Sequence, residues 1–414
     1  MEVRGVKKVS GSKEEKMRLV GTVSRGIRGP IIREGDDLVR FVVDAVMAAH
    51  EAEGFPFHDR DVVCITEAIV GRAQGNYANI DQMAADIRKK FPEGDIGLFR
   101  PILSRNRFSL NLRGIARGAK KIYLQLTYPS DEVGNKLISW DQLDKKGVEP
   151  DRKVFTKEEF YETFGDLAHT FTGVDYIQFY QDIVEEEGCQ VEILIANDPR
   201  ELLNHTKNIL TCDVHGRDRS KKLFKDHGAK RIYGLDDILT QSVDGSGYNE
   251  QFGLLGSNKA TETEVKLFPR DCKPYVDEIQ KELIEKTGKK IEVMIYGDGA
   301  FQDPVGHIWE LADPVVSPAY TAGLSGRPNE LKLKYLADND FSNLRGEELA
   351  QAIKDRIRSK DEDLMGQMVS EGTTPRRITD ILGSLADLTS GSGDKGTPIV
   401  LIQGYFDNLT SEEE

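Results

Sequence analysis

The chain has 414 residues, 38% of them hydrophobic and 30% charged, enough for two or three soluble domains with a sizeable core. Its net charge of −14 argues against a nucleic-acid partner, because phosphate would be repelled, and no apolar run is long enough to span a membrane. The four cysteines, Cys64, Cys189, Cys212 and Cys272, have no metal-ligand spacing, and the charged opening MEVRGVKKVSGSKEEK holds no signal-peptide core, so a cytoplasmic protein with reduced thiols is expected.

In chain order, residues 1–16 read as a tail and 17–23 as a strand broken at Gly29-Pro30. Asp37 is a good helix N-cap and Gly54 a good left-handed stop. The helix between them, 38–53, is apolar almost all round and is expected to be buried. The run 62–66 reads as a buried strand continuing to residue 75. An amphipathic helix follows over 80–91, stopped by Pro92. Arg100, Arg105, Arg107, Arg113 and Arg117 form a basic cluster in an acidic chain. It is either an anion site for phosphate or carboxylate or a solvated face paired to acids.

A strand is expected over 121–126. The polar, aromatic-dotted stretch 129–187 reads as a mostly helical insertion or lid dividing a core of 17–128 and 188–414. Strands follow over 191–196 and 208–212, the second leading into the acidic turn 213–220. The helix 275–286 stops at Gly288 and gives way to the apolar strand 291–295, which ends at Gly297-Asp298-Gly299. A loop is expected over 313–328, a strand over 331–337 and a polar surface helix over 344–358. The last helix opens at Thr374-Pro375, with Ile378, Ile381, Leu382, Leu385 and Leu388 toward the core and Asp380 and Asp387 opposite. A Gly-rich loop, 391–396, and a closing strand, 398–403, complete a mixed α/β fold. The strands 62–66, 208–212, 291–295 and 399–403 are expected to share one core.

No phosphate-binding P-loop, dinucleotide fingerprint, zinc-protease motif or serine-hydrolase elbow occurs. Asp298, flanked by glycines at the end of a buried strand, stands where α/β proteins place chemistry, although taken alone the stretch reads as a turn with a solvated aspartate. For Asp218 the plain alternative is a charged turn paired with its own arginines, for Asp380 a solvated helix face, and for Asp394 and Gly396 a flexible loop.

Five stretches, in order, resemble the coenzyme F-420 (deazaflavin) γ-glutamyl ligases. They are PIIREGDDL from Pro30, DVVCITEAIVGRAQG from Asp61, CDVHGRDRS from Cys212, the run from Thr287 to Trp309, and Asp380 followed by GDKGTPIVLIQG from Gly393. Gly216, Asp218, Ser220, Asp298, Gly306 and Trp309 match family positions. Arg72 stands where the family has lysine, and His307 and Glu310 stand where it has arginines. The resemblance does not cover 129–187.

The resemblance implies a γ-glutamyl ligase-like fold, an intertwined homodimer, and GTP- (or ATP-) dependent joining of L-glutamate to a carboxylate acceptor with Mg2+ or Mn2+. By the same resemblance, Asp218 and Asp298 are the catalytic metal aspartates and should approach each other in space. Arg72, Gly75, Ser220, Asp380, Asp394 and Gly396 are candidates for nucleotide or substrate binding. A folate, pterin or other carboxylate acceptor, or a catalytically silent nucleotide-binding homologue, are the alternatives.

Overall fold

The computed structural model describes residues 19–103, 108–130, 136–151, 153–165, 167, 173–214, 216–297, 301–302, 309–310, 316–373, 376–390 and 394–411. The tail 1–16, Arg105, Arg107, Asp298 and Thr374-Pro375 lie outside them, as does most of the run from Asp298 to Trp309.

The fold is a mixture of helices and sheets, as expected. One sheet has five strands in the order β1 (Val23–Ile27), β16 (Ile399–Gln403), β2 (Val62–Thr66), β12 (Glu292–Gly297), β15 (Val316–Tyr320). Only β2 and β12 run parallel, Val62 opposite Glu292 through Thr66 opposite Tyr296. The central strands are continuously apolar because both faces are covered. Helices α1 (Leu38–Glu53) and α9 (Cys272–Thr287) pack on Val63, Ile65, Val293, Ile295, Ile399 and Leu401. Helix α12 (Ile378–Ser390) packs on the alternate residues Val62, Cys64, Met294, Tyr296, Val400 and Ile402. This is the two-residue period of a strand read from its two sides.

A second sheet has six strands in the order β6 (Phe155–Thr156), β7 (Gln190–Ile195), β5 (Lys121–Leu126), β4 (Asp95–Arg100), β8 (Asn208–Thr211), β9 (Arg231–Gly234), all parallel except β6. From β4 the chain builds outward to β5 and β7, then returns to the other side of β4 for β8 and β9. The gap between β4 and β8 is therefore the topological switch point. Helices α3 (Ile80–Lys90), α4 (Ser109–Gly118) and α7 (Tyr176–Glu186) supply the core on one face, and α8 (Arg217–Asp226) contributes Phe224 on the other. Close packing of α3 on α4 requires glycine: a Cβ at Gly114 would stand 2.7 Å from Met83 Cβ, and one at Gly118 2.7 Å from Ile87 Cβ.

A small sheet of β10 (Asn258–Lys259), β11 (Glu264–Lys266) and β3 (Tyr77–Asn79) and a hairpin of β13 (Phe301–Gln302) and β14 (Trp309–Glu310) complete the strands. Helices α5 (Trp140–Lys146) and α6 (Lys157–Phe164) lie within 129–187. The described residues of that segment are built into the six-stranded layer. The strand β6 pairs with β7, and Phe155, Phe160, Tyr180 and Val184 are buried in its core.

Several local expectations change. The 208–212 strand does not share a core with the other three: β8 belongs to the six-stranded sheet, β2, β12 and β16 to the five-stranded one. The first strand starts at Val23 instead of residue 17. The strand from Val62 stops at Thr66, whose hydroxyl accepts from Ala68 N at 3.5 Å and caps helix α2 (Glu67–Ala73) in place of a continued strand. The loop expected over 313–328 contains β15, and Pro318 is tolerated there because the strand is at a sheet edge. The strand expected over 331–337 is instead the short helix α10 (Leu333–Tyr335) and a wide turn, while the helix expected over 344–358 is α11 (Gly346–Arg358). Helix α1 buries only Leu38, Val42, Val43 and Val46, so it is a surface helix with one buried stripe. On α12, Asp380 is buried and Leu388 is 72% exposed, so the helix is rotated relative to the face read from its sequence.

Candidate functional site

Parallel pairing brings the carboxyl ends of β2 and β12 to one edge of the five-stranded sheet. The antiparallel β16 starts at the same edge, where Thr66 N donates to the Pro398 carbonyl at 3.1 Å and Gly29 N to the Gly396 carbonyl at 3.1 Å. Gly396 and Asp394, both exposed, therefore lie at this end. Helix α2 carries the exposed Arg72 to it, with Nε donating to the Ile32 carbonyl at 3.0 Å. Gly75 (φ +60°) lies so close to Glu34 that a Cβ there would sit 2.3 Å from the Glu34 carboxyl carbon. The Gly-Asp-Asp of this loop is structural: Asp36 accepts from Arg33 N at 2.7 Å, and Asp37 caps α1 by accepting from Arg40 N at 3.1 Å.

Asp380 also belongs to this end. Ser317 Oγ donates to the Thr379 carbonyl at 3.4 Å, and Val316 pairs with Gly297, so the first turn of α12 stands beside the end of β12. Asp298 is the next residue along the chain and lies outside the described residues.

Two further residues at this end escaped the sequence reading. Lys266 Nζ lies 2.7 and 2.5 Å from the two Glu67 carboxylate oxygens, with the side chains only 9% and 4% exposed. Glu67 lies against β12: a Cβ at Gly297 would fall 1.8 Å from Glu67 Cγ. A buried ion pair contributes little net stability, so its place at the end of parallel strands points to a role in shaping this edge. Glu67 had one local signal, a charge directly after a buried apolar run. Lys266, separated from Glu67 by 199 positions, had none.

Asp218 and Ser220 belong to the other sheet. Asp218 is exposed in the first turn of α8, where a helix N-terminus favours negative charge. Ser220 is buried and donates to Asp213 Oδ2 at 2.5 Å, and Asp213 Oδ1 accepts from Gly216 N at 2.8 Å. The buried Asp213, read from the sequence only as part of an acidic turn, braces the turn that presents Asp218.

The basic cluster divides. Arg113 and Arg117 both pair with Glu187 at 2.7 Å, and Arg117 also reaches Asp81 at 2.8 Å, which is the charge-paired face. Arg100 is separate and buried, with Nη1 donating to the Cys212 carbonyl at 2.9 Å. Burial pushes the thiols up, Cys189 to about 11 and Cys212 and Cys272 to about 12, with Cys64 raised as well, so none is a thiolate nucleophile at neutral pH. Among the described residues no group of three or more His, Cys, Asp or Glu is placed to hold a metal ion, and no helix is long and apolar enough to cross a membrane.

The fold and these two sheet ends define an α/β protein that collects carboxylates and cations at strand termini. The chain belongs to the F420-0:gamma-glutamyl ligase family, an enzyme family, whose model matches residues 26–404. That match runs through both sheets and through 129–187. No curated protein is significantly similar to it.

Proposed function

We propose that this chain is an NTP-dependent γ-glutamyl ligase joining L-glutamate to a carboxylate of a deazaflavin-type acceptor, with GTP or ATP as co-substrate. The observation that carries this reading is that Arg72, Asp380 and Gly396 are each tied to the end of the five-stranded sheet that precedes Asp298, in a chain of this family. An acceptor carboxylate oxygen attacks the γ-phosphorus, and the bond to the nucleoside diphosphate breaks. The glutamate amine then attacks the acyl carbon, inorganic phosphate leaves, and the amine gives up one proton.

Arg72, exposed on α2, would hold phosphate or a glutamate carboxylate. The Glu67–Lys266 pair keeps the end of β12 against α2. The donor set fits Mg2+ or Mn2+ better than a metal needing a full protein cage, because magnesium takes one or two protein carboxylates and fills its shell with water and phosphate oxygens. Asp218 and Asp298 are the carboxylates proposed to hold it, and such an ion neutralises charge on the phosphoryl oxygens. The departures at His307 and Glu310 keep, as a second reading, the same reaction on a folate, pterin or other carboxylate acceptor.

The test is glutamate-dependent phosphate release with Mg2+ or Mn2+, using GTP and ATP and deazaflavin and folate acceptors. Asp298→Asn keeps the size of the side chain but removes its charge. It is expected to melt as wild type does and to lose several kcal/mol of barrier lowering, roughly a thousandfold in rate. Normal turnover by that variant would remove Asp298 from the mechanism. A wild type silent with every acceptor, yet binding nucleotide, would mean a non-catalytic homologue, and turnover with folate alone would move the substrate.

A further inference from the structure

We propose that Arg100 is the anion-binding residue of a site at the switch point of the six-stranded sheet, taking a phosphoryl or carboxylate oxyanion. Arg100 is the last residue of β4 and only 5% exposed. A guanidinium offers five N–H donors and carries its charge at any accessible pH. Here Nη1 donates to the Cys212 carbonyl at 2.9 Å, and the guanidinium carbon lies 4.1 Å above the Phe108 ring. Nε is buried with no hydrogen-bond partner, and no carboxylate among the described residues pairs with the group. Asp213, which follows Cys212, turns its oxygens to other donors, Oδ2 accepting from Ser220 Oγ and Oδ1 from Gly216 N.

A buried cation without a counter-ion is costly, and a native chain compensates such a charge or uses it. The place indicates use. The ends of β4 and β8 meet here, since Cys212 N donates to the Phe99 carbonyl at 2.7 Å, and ligands of open α/β sheets bind outside the carboxyl ends of strands where the order reverses. The ten-residue helix α8 starts five residues after Cys212, at Arg217, and its N-cap Gly216 makes no side-chain capping hydrogen bond. An oxyanion on Arg100 would satisfy the orphaned Nε–H and neutralise the charge. The site adjoins Asp218 of the proposed ligase centre, but it is read by anion binding, which stands or falls apart from turnover.

The experiment uses the full chain in chloride buffer at constant ionic strength, titrated separately with inorganic phosphate and with L-glutamate while the melting midpoint is followed. Wild type is expected to be stabilised saturably. Stabilisation by phosphate alone identifies a phosphoryl site, and by glutamate alone a carboxylate site. Arg100→Met is expected to bind at least tenfold more weakly, and without anion to melt no lower than wild type, because an uncompensated charge has been removed. Arg100→Lys retains the charge but lacks the Nε–H fork. It is expected to fold and also to bind at least tenfold more weakly, which keeps the test open if the methionine variant does not fold. The proposal is overturned if neither anion stabilises wild type, or if either variant binds as wild type does. It is equally overturned if Arg100→Met melts well below wild type in the absence of anion, since Arg100 would then be structural.

Discussion

Replacing Lys266 by methionine is the sharpest probe of the five-stranded sheet's working end. Methionine keeps most of the length and apolar volume of lysine but removes the cation that both oxygens of the buried Glu67 carboxylate face. Both side chains are more than nine-tenths buried, and both Glu67 oxygens are within 2.7 Å of Nζ. Removing one partner of such a pair is expected to cost about 3–5 kcal/mol, whereas replacing both partners by neutral groups is often close to neutral. Lys266→Met should therefore unfold at clearly lower denaturant, and Glu67→Gln with Lys266→Met should recover most of the loss. Equilibrium urea unfolding followed by far-UV circular dichroism and tryptophan fluorescence reads both. If the pair shapes the site, the double variant recovers stability but not phosphate release. A double variant as unstable as the single one would refute the charge-burial argument. One as active as wild type would refute the role in the site.

Gly297→Ala should cost about 1–3 kcal/mol, because the added methyl overlaps the Glu67 side chain and the ion pair must move; thermal melting checks it. Asp213→Ala should destabilise by about 1–3 kcal/mol by leaving the buried Ser220 hydroxyl without its acceptor. The same change should weaken the Mn2+ dependence of turnover if the turn presents Asp218. The buried thiols give a pH dependence of definite sign. Their folded pKa values lie above the ordinary 9.0, so above pH 9 the unfolded chain loses protons that the folded chain keeps. Their contribution is intact below pH 9 and is lost between pH 9 and about 12. Alkaline unfolding of wild type compared with Cys212→Ser and Cys272→Ser tests this. The intertwined homodimer implied by the family is tested by sedimentation at micromolar concentration, where a stable monomer would count against it.

What the sequence determined alone is local. The bounds of α1 follow from Asp37 and Gly54, which cap it through their own backbone and side-chain geometry. The strands β2, β5 and β16 are apolar runs bounded by turn residues, and the glycine stop of α9 at Gly288 needs only its positive φ of 68°. The ligase family was also legible, because its short motifs occur in order along the chain. Tertiary structure decided the rest. Whether Val62–Thr66 and Asn208–Thr211 share a core depends on pairing partners far along the chain, and a buried parallel strand reads alike in either sheet. The helix at Glu67–Ala73 is held by Lys266, and the face α12 buries is set by the sheet beneath it, which turns Asp380 inward and leaves Leu388 in solvent. Arg100 and Arg117 are both arginines of one basic stretch, yet only the fold gives Arg117 two carboxylates and leaves Arg100 buried beside a carbonyl and a phenyl ring. Charge and burial are properties of surroundings, and the polar partners that decide them here lie 36, 70, 112 and 199 positions away, beyond the reach of any local pattern.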